Sequence, residues 1–286
     1  MKRSCLLACC TLMGLGLAAC GFGNSVPDPG PRTEEVQNVD LDGLLITVRG
    51  QVQVPPEATR LLADQGQALP PLGGLPLFIE EPLRMSVSDP VATFGTGSLA
   101  EDGGFSVNDV PVRDIHLSLA ARVEHEGFVP SSTLIFDTAF TGTRPRTDIN
   151  GARVWALPLA LHEALTRAVG EEALQAHTNG QARTLLEAGF LLGRVVDEAG
   201  RPVAGARIRL DRGELADRIY YPSEDLAQVG QAGTSANGLF VYVHSGVEVE
   251  TFRVSLHGSE AYLWRNAGAT PGRGLVLTVF PGTTAP

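Results

Sequence analysis

Lysine and cysteine are the two side chains that this sequence nearly lacks. The only lysine is Lys2, and the cysteines all lie within the first twenty residues, at Cys5, Cys9, Cys10 and Cys20. From residue 21 onwards the chain cannot form an intrachain disulfide, so its stability must come from packing. It also offers no cysteine or lysine side chain there for nucleophilic catalysis.

Positive charge is scarce as well. The chain carries 22 Lys and Arg against 32 Asp and Glu, a formal net charge of −10, and loss of Lys2 and Arg3 would take it to −12. A surface this acidic is repelled by phosphate backbones and by anionic lipid headgroups. We therefore predict neither a nucleic-acid partner nor electrostatic attachment to a membrane.

The first nineteen residues have the order of a cleavable secretory signal. A basic start, Lys2 and Arg3, is followed by an apolar stretch and then by small residues before Cys20. Only 16 residues separate Arg3 from Cys20, whereas a bilayer-spanning helix needs about 20. We predict a signal peptide over residues 1–19 and no permanent membrane span.

The motif Leu17-Ala18-Ala19-Cys20 resembles the lipobox of bacterial lipoproteins. The resemblance implies that Cys20 is lipidated, that cleavage falls just before it, and that several acyl chains hold the protein at a membrane, since one chain alone binds only marginally. Gly21 and Phe22 follow, rather than the aspartate of inner-membrane retention, so the implied location is the outer membrane.

The rest of the sequence divides into four segments that differ in composition and in the spacing of their apolar residues. Residues 20–42 are rich in Gly and Pro and read as a flexible tether. Residues 43–157 are strand-like, with strands predicted at 45–54, 75–79, 105–107, 115–123, 133–136 and 152–157. Residues 158–188 favour two short helices that start at Pro158 and break at Asn179-Gly180, forming a connector. Residues 189–286 return to strands, and the predicted fold is mainly β.

The last segment alternates strictly between apolar and polar residues. Ile208 and Leu210 flank Arg209, and the run Phe252, Val254, Leu256 alternates with polar positions. Each such strand has one buried and one solvent-facing side, as in antiparallel sheets. By this parity His257 should point to solvent.

Two motifs in that segment carry a family resemblance. Residues 193–210 read as a hairpin with a turn at Gly200, and residues 234–240 end in a turn at Asn237-Gly238 that leads into a strand at Phe240. Together they resemble carboxypeptidase regulatory-like domains, which are transthyretin-like β-sandwiches. Residues 48–52 and 101–107 look like a weaker copy of the same motifs. The resemblance implies two tandem transthyretin-like or immunoglobulin-like sandwiches, at 43–157 and 189–286.

The same hairpin resembles the start of intradiol ring-cleaving dioxygenases, which bind ferric iron with two tyrosines and two histidines. The candidates here are Tyr220, Tyr221, His244 and His257, but the histidines are 13 residues apart, whereas in that family they are two apart. The pair His257 and Glu260 has the spacing of a zinc motif but lacks a third ligand downstream. His162 is isolated, and we expect it at the surface, as we expect the two tyrosine hydroxyls to be solvated.

We therefore predict no catalytic residue, no metal and no cofactor. The expected function is that of an envelope lipoprotein acting as a non-catalytic binding or structural module, not an enzyme, with an envelope protein or a glycan as its partner. Recognition is expected in the loops at 57–74 and 213–231. Two alternatives stay open: an intradiol-dioxygenase-like iron enzyme, and an accessory lipoprotein of an outer-membrane transport or secretion complex.

Overall fold

The computed structural model describes residues 40–82, 92–246 and 249–283, and this part of the chain is mainly β, as predicted. The predicted signal peptide, Cys20 and the predicted tether as far as residue 39 lie outside it. Its strands are β1 (Leu45–Gln53), β2 (Pro76–Glu80), β3 (Thr93–Ser98), β4 (Gly104–Pro111), β5 (Ser118–Val123), β6 (Ser131–Asp137), β7 (Ile149–Trp155), β8 (Phe190–Val195), β9 (Ile208–Leu210), β10 (Ile219–Pro222), β11 (Val229–Gly230), β12 (Leu239–Val243), β13 (Glu250–Leu256), β14 (Arg265–Ala269) and β15 (Gly274–Val279).

Helices are few and short. They are α1 (Pro56–Asp64), α2 (Thr138–Thr141), α3 (Leu159–Val169), α4 (Glu171–His177) and α5 (Leu185–Ala188), with 3₁₀ turns at Val112–Asp114 and Gly213–Arg218. Among the described residues, none of these helices combines the length and the apolar character that a membrane crossing requires.

The first half of the chain builds one sandwich. Its sheet β4-β1-β7 has β1 in the middle, antiparallel to β4 and parallel to β7, and the strands β6-β5-β2-β3 lie opposite. Apolar side chains from both layers form the core between them, including Val48, Val107, Ile79 and Leu119. The predicted strands at 45–54 and 75–79 therefore supply facing layers of one core.

The second half repeats the same pairings. β8 lies between β12, its antiparallel neighbour, and β15, its parallel neighbour, and the sheet β14-β13-β9 packs opposite. Both turns that lead into the antiparallel neighbour are built alike. Gly103 and Gly238 have φ of +83° and +68°, and their carbonyls accept 2.8 Å hydrogen bonds from the amides of Val52 and Val195. The weaker copy expected in the first half thus has the strand pairing of the second.

The two sandwiches are fused through one sheet. β15 of the second half pairs in parallel with β6 of the first, which produces a nine-stranded sheet in the order β11-β10-β12-β8-β15-β6-β5-β2-β3. A buried ion pair adds to this join, because Glu57 of α1 bonds Arg194 of β8. Residues 158–188 are accordingly more than a connector between separate bodies, since α3, α4 and α5 pack on this sheet with a third apolar core.

Some boundaries differ from the sequence expectation. β3, with the Gly-rich sequence Thr93–Ser98, was not predicted, because glycine weakens the strand signal. The first helix of residues 158–188, α3, ends earlier than expected, at Gly170 with φ of +87°. Residues 40–42, predicted as the end of the tether, belong to the fold: Asp42 pairs with Arg144 at 3.0 Å.

The two expected recognition loops are largely ordered elements. Residues 57–74 contain most of α1, and Glu57 within it is only 4% exposed. Residues 213–231 contain β10 and β11, where Tyr220 and Tyr221 are both buried. The charged and polar composition of these stretches suggests exposed loops, but several of their polar side chains are buried and bond to other groups inside the protein.

Candidate binding site

A cleft lies where the smaller sheet of the second sandwich ends before the larger sheet does. Among the described strands, β14 is the last of the sheet β9-β13-β14, whereas the opposite sheet continues past β15 into β6 and β5. The space left beside β14 is a cavity of about 250 Å³ lined by residues of β5, β6, β13, β14 and β15 and by Asp211, which follows β9. The fusion of the two sandwiches therefore creates this cleft.

The cleft is lined by both apolar and polar side chains. Apolar lining comes from Leu117, Leu134, Phe252, Ala267, Ala269 and Leu275, and polar lining includes Ser132, Thr270, Asp211, Arg253 and Arg273. Arg253 is engaged by Asp211 at 3.0 Å, and Arg273 lies 3.7 Å from the buried carboxylate of Glu80. This combination of apolar walls and a few placed polar groups is typical of binding sites.

One edge of β14 faces the cleft with its backbone. The amide of Asn266 turns away from β13 and donates to the carboxylate of Asp137 at 2.8 Å. In an antiparallel pair, backbone groups alternate in direction along the strand, so Gly268 directs its amide and carbonyl the same way. Gly268 lines the cleft, which places strand-pairing groups at its wall.

The position of β14 is fixed by a buried arginine. Arg265 is 4% exposed, lies 4.1 Å from the Phe140 ring centre and 4.4 Å from that of Phe280, and approaches Asp137 at 3.5 Å. Burial lowers the pKa of Arg265 to about 10, which leaves it charged at neutral pH. Burial also raises the pKa of Asp137, against the opposing effect of its hydrogen bonds and of Arg265.

A buried polar cluster stands beside the cleft. Glu250 accepts hydrogen bonds from Tyr242 at 2.5 Å and from Arg218 at 2.9 Å, and His244 Nε2 lies 3.8 Å away. Burial of Glu250 acts to raise its pKa. Hydrogen bonds from Tyr242 and Ser245, together with the positive charge of His244 and Arg218, outweigh burial, so the pKa of Glu250 is lowered. Burial and the neighbouring carboxylate raise the pKa of Tyr242. The cluster therefore holds an ionised carboxylate and a protonated phenol.

Sequence reasoning missed this cluster, although one signal was available. Glu250 shares strand parity with Phe252 and Val254, so the alternation that placed those side chains inside also placed the carboxylate inside. A buried carboxylate requires partners, and Tyr242 and Arg218 supply them.

The four residues weighed for an iron site do not converge. Tyr220 and Tyr221 are consecutive in β10 and therefore face opposite sides of the sheet, each in a different apolar core. Their hydroxyls are not solvated as expected: the Tyr220 hydroxyl lies 2.7 Å from His177 Nε2, and that of Tyr221 accepts the Ile208 amide at 2.8 Å. His244 is fully buried, with Gly246 donating to its Nδ1.

The other histidine motifs have plain structural positions. His257 and Glu260 are both exposed, and the solvent-facing position of His257 matches its parity. His162, expected at the surface, is buried, and its Nε2 accepts the Leu186 amide at 3.0 Å. Burial lowers its pKa. Within the described ranges, no group of three or more His, Cys, Asp or Glu side chains is arranged to hold a metal.

Comparison with known proteins finds low similarity. No family model matches the chain, and no curated protein does. Among solved structures, a streptococcal ancillary pilin is 12% identical with a TM-score of 0.24, covering 84% of this chain and 69% of the pilin. The shaft pilin SpaA of Lactobacillus rhamnosus GG is 8% identical with a TM-score of 0.22, covering 85% and 99%. The Bacillus anthracis TIE protein is 9% identical with a TM-score of 0.20, covering 84% and 34%.

Proposed function

We propose that this protein is an exported lipoprotein, attached through Cys20 to the outer membrane, that binds an envelope partner without transforming it. The attachment is inferred from the signal sequence and the lipobox-like motif. The resemblance of residues 193–210 and 234–240 to carboxypeptidase regulatory-like domains supports a module of that kind, whose sandwiches present edges and loops for recognition.

The cleft beside β14 is the single observation that carries the binding role. It combines apolar lining with a strand edge on which Gly268 directs its backbone groups outward. An extended peptide that pairs with such an edge gains main-chain hydrogen bonds, and pockets for alternate side chains give specificity. We therefore propose an extended segment of an envelope protein as the ligand, paired with β14 and placing small apolar side chains towards Leu134 and Leu275.

In-cell photocrosslinking of the lipidated full-length protein tests this proposal. A photoreactive phenylalanine analogue at Thr270, at the cleft, should give a defined adduct, and the same analogue at exposed Arg167 on α3 should not. Leu134→Trp, which fills the cleft, should abolish the Thr270 adduct. A synthetic peptide copying the crosslinked segment should then shift the amide resonances of Ala267 and Gly268 in the purified protein.

Three results would count against the role. One is equal crosslinking from both positions, which would mark random encounters. Another is a Thr270 adduct that survives Leu134→Trp. The third is the absence of any adduct at Thr270 under conditions in which the lipoprotein is present at the membrane.

A further inference from the structure

The outer face of the sheet β9-β13-β14 carries a positive, aromatic surface on an otherwise acidic protein. Side chains that face inward on these strands build the core. The outer face carries Arg209 and Arg253 from the strands and Arg207, His257 and Trp264 from the positions next to strand ends. We call these five residues the arginine face. Arg207, Arg209 and His257 are exposed, and the Arg253 side chain is 53% exposed.

An indole ring organises this face. The guanidinium carbon of Arg209 lies 5.0 Å from the ring centre of Trp264, and that of Arg253 lies 5.8 Å away. Both distances are within the range of cation–π attraction. Ser255, which pairs with Arg209 across the sheet, is small, and its hydroxyl donates to the Tyr262 carbonyl. Arginine and tryptophan side chains from different strands can therefore meet above it.

The charge of this face is not neutralised locally. Asp211 pairs with Arg253, but within the described part of the chain no carboxylate lies within ion-pair distance of Arg207 or Arg209. Most arginines of the protein do have such a partner, for example Arg194 with Glu57 and Arg122 with Glu80. A stacked guanidinium keeps its planar N–H edge free to bind a carboxylate in bidentate fashion.

We infer that the arginine face binds an acidic polysaccharide through its carboxylate groups. A single polymer chain on this face interacts mainly with the charges near it, because more distant charges are screened by salt: the Debye length is about 8 Å at physiological ionic strength. A membrane surface instead meets the acidic protein as a whole and is repelled. The choice of a glycan over nucleic acid rests on the proposed function, which places the protein outside the cytoplasm. Arg253 is common to the arginine face and the cleft, whereas Arg207, Arg209 and Trp264 do not line the cleft.

Affinity electrophoresis of the purified protein in gels containing polygalacturonate tests the inference. Retardation is expected, weakening with added salt, and the double variant Arg207→Gln/Arg209→Gln should lower the affinity at least tenfold. The matched control Arg146→Gln/Arg153→Gln removes the same charge from exposed positions elsewhere and should bind as wild type. Trp264→Leu keeps every charge but removes the stacking ring, so it should bind several-fold more weakly.

The opposing outcomes are distinct. Equal weakening by both double variants would mean that only net charge matters, and full affinity in Trp264→Leu would remove the role of stacking. Tighter binding to single-stranded oligothymidine, or to vesicles containing phosphatidylglycerol, would overturn the glycan assignment. The cleft-filling variant Leu134→Trp should bind polygalacturonate normally, so failure of the peptide proposal would leave this one intact.

Discussion

Gly193 of β8 lies directly opposite Phe240 of β12, and the phenylalanine ring occupies the space that a side chain at Gly193 would need. A Cβ atom at Gly193 would lie 1.9 Å from Phe240 Cζ. Gly50 and Phe105 hold the same register in the first sandwich. There, however, the atom that would meet a Cβ is the carbonyl oxygen of Ala152, at 2.1 Å.

This contact predicts that Gly193→Ala destabilises the protein by about 1–3 kcal/mol, because a methyl group would force Phe240 to shift within a close-packed core. Gly230→Ala is the matched control, since no atom lies within 4 Å of a Cβ placed there. Urea denaturation followed by circular dichroism measures both. Equal stability of the two variants would show that the ring does not lie over Gly193.

The buried pair of Arg265 and Asp137 predicts a large, non-additive effect. Arg265→Met leaves the Asp137 carboxylate without its cationic neighbour in the interior, which costs about 3–5 kcal/mol. The double variant Asp137→Asn/Arg265→Met should be less destabilised than the sum of the single variants. Additive losses in denaturant unfolding would mean that the two groups do not interact.

The pH dependence of that loss follows from the pKa of Asp137, which burial raises. A carboxyl group whose pKa is raised by folding stabilises the folded state fully at pH values below its pKa in the unfolded chain, about 3.9. This stabilisation is lost as the pH rises through the pKa of the folded state. Without Arg265 the pKa of Asp137 should rise further. The Arg265→Met loss should therefore be smallest near pH 4 and larger at neutral pH, and denaturation at several pH values measures this.

Burial of His162 predicts weakening in mild acid. Its folded pKa is lowered by burial, so the stability that depends on the neutral ring is complete above about pH 6.5 and is lost as the pH falls through the folded value. His162→Leu should be less stable at pH 7.5, where the Leu186 amide loses its acceptor, but should show a shallower decline towards pH 5. A variant as pH-sensitive as the wild type would refute this role.

The mainly β fold and many of its strands could be predicted because alternation and turn chemistry are local. Asn237-Gly238 illustrates this: Asn237 Oδ1 accepts the Leu239 amide at 2.8 Å, which builds the turn from adjacent residues. The fusion of the sandwiches could not be predicted in this way. It depends on β15 pairing with β6, strands separated by more than 130 residues, and no sequence pattern specifies that pairing.

The candidate site could not be predicted from the sequence for the same reason. Leu134, Phe252 and Ala267 each have the pattern of ordinary alternating strand residues. The cleft arises from the arrangement of distant strands, since among the described strands only β13 pairs with β14. Part of the arginine face could be predicted from the sequence, since Arg207 and Arg209 alternate with apolar residues. The stacking of arginines on Trp264 could not be predicted, because it depends on the register of three strands.

Metabolic labelling with radioactive palmitate, followed by membrane fractionation, tests the central claim most directly. We predict a labelled, membrane-associated protein whose label is lost in Cys20→Ser but retained in Cys10→Ser, which alters a cysteine of the predicted signal segment. An unlabelled chain in the cytoplasm with residues 1–19 still attached, or a label that survives Cys20→Ser, would contradict it.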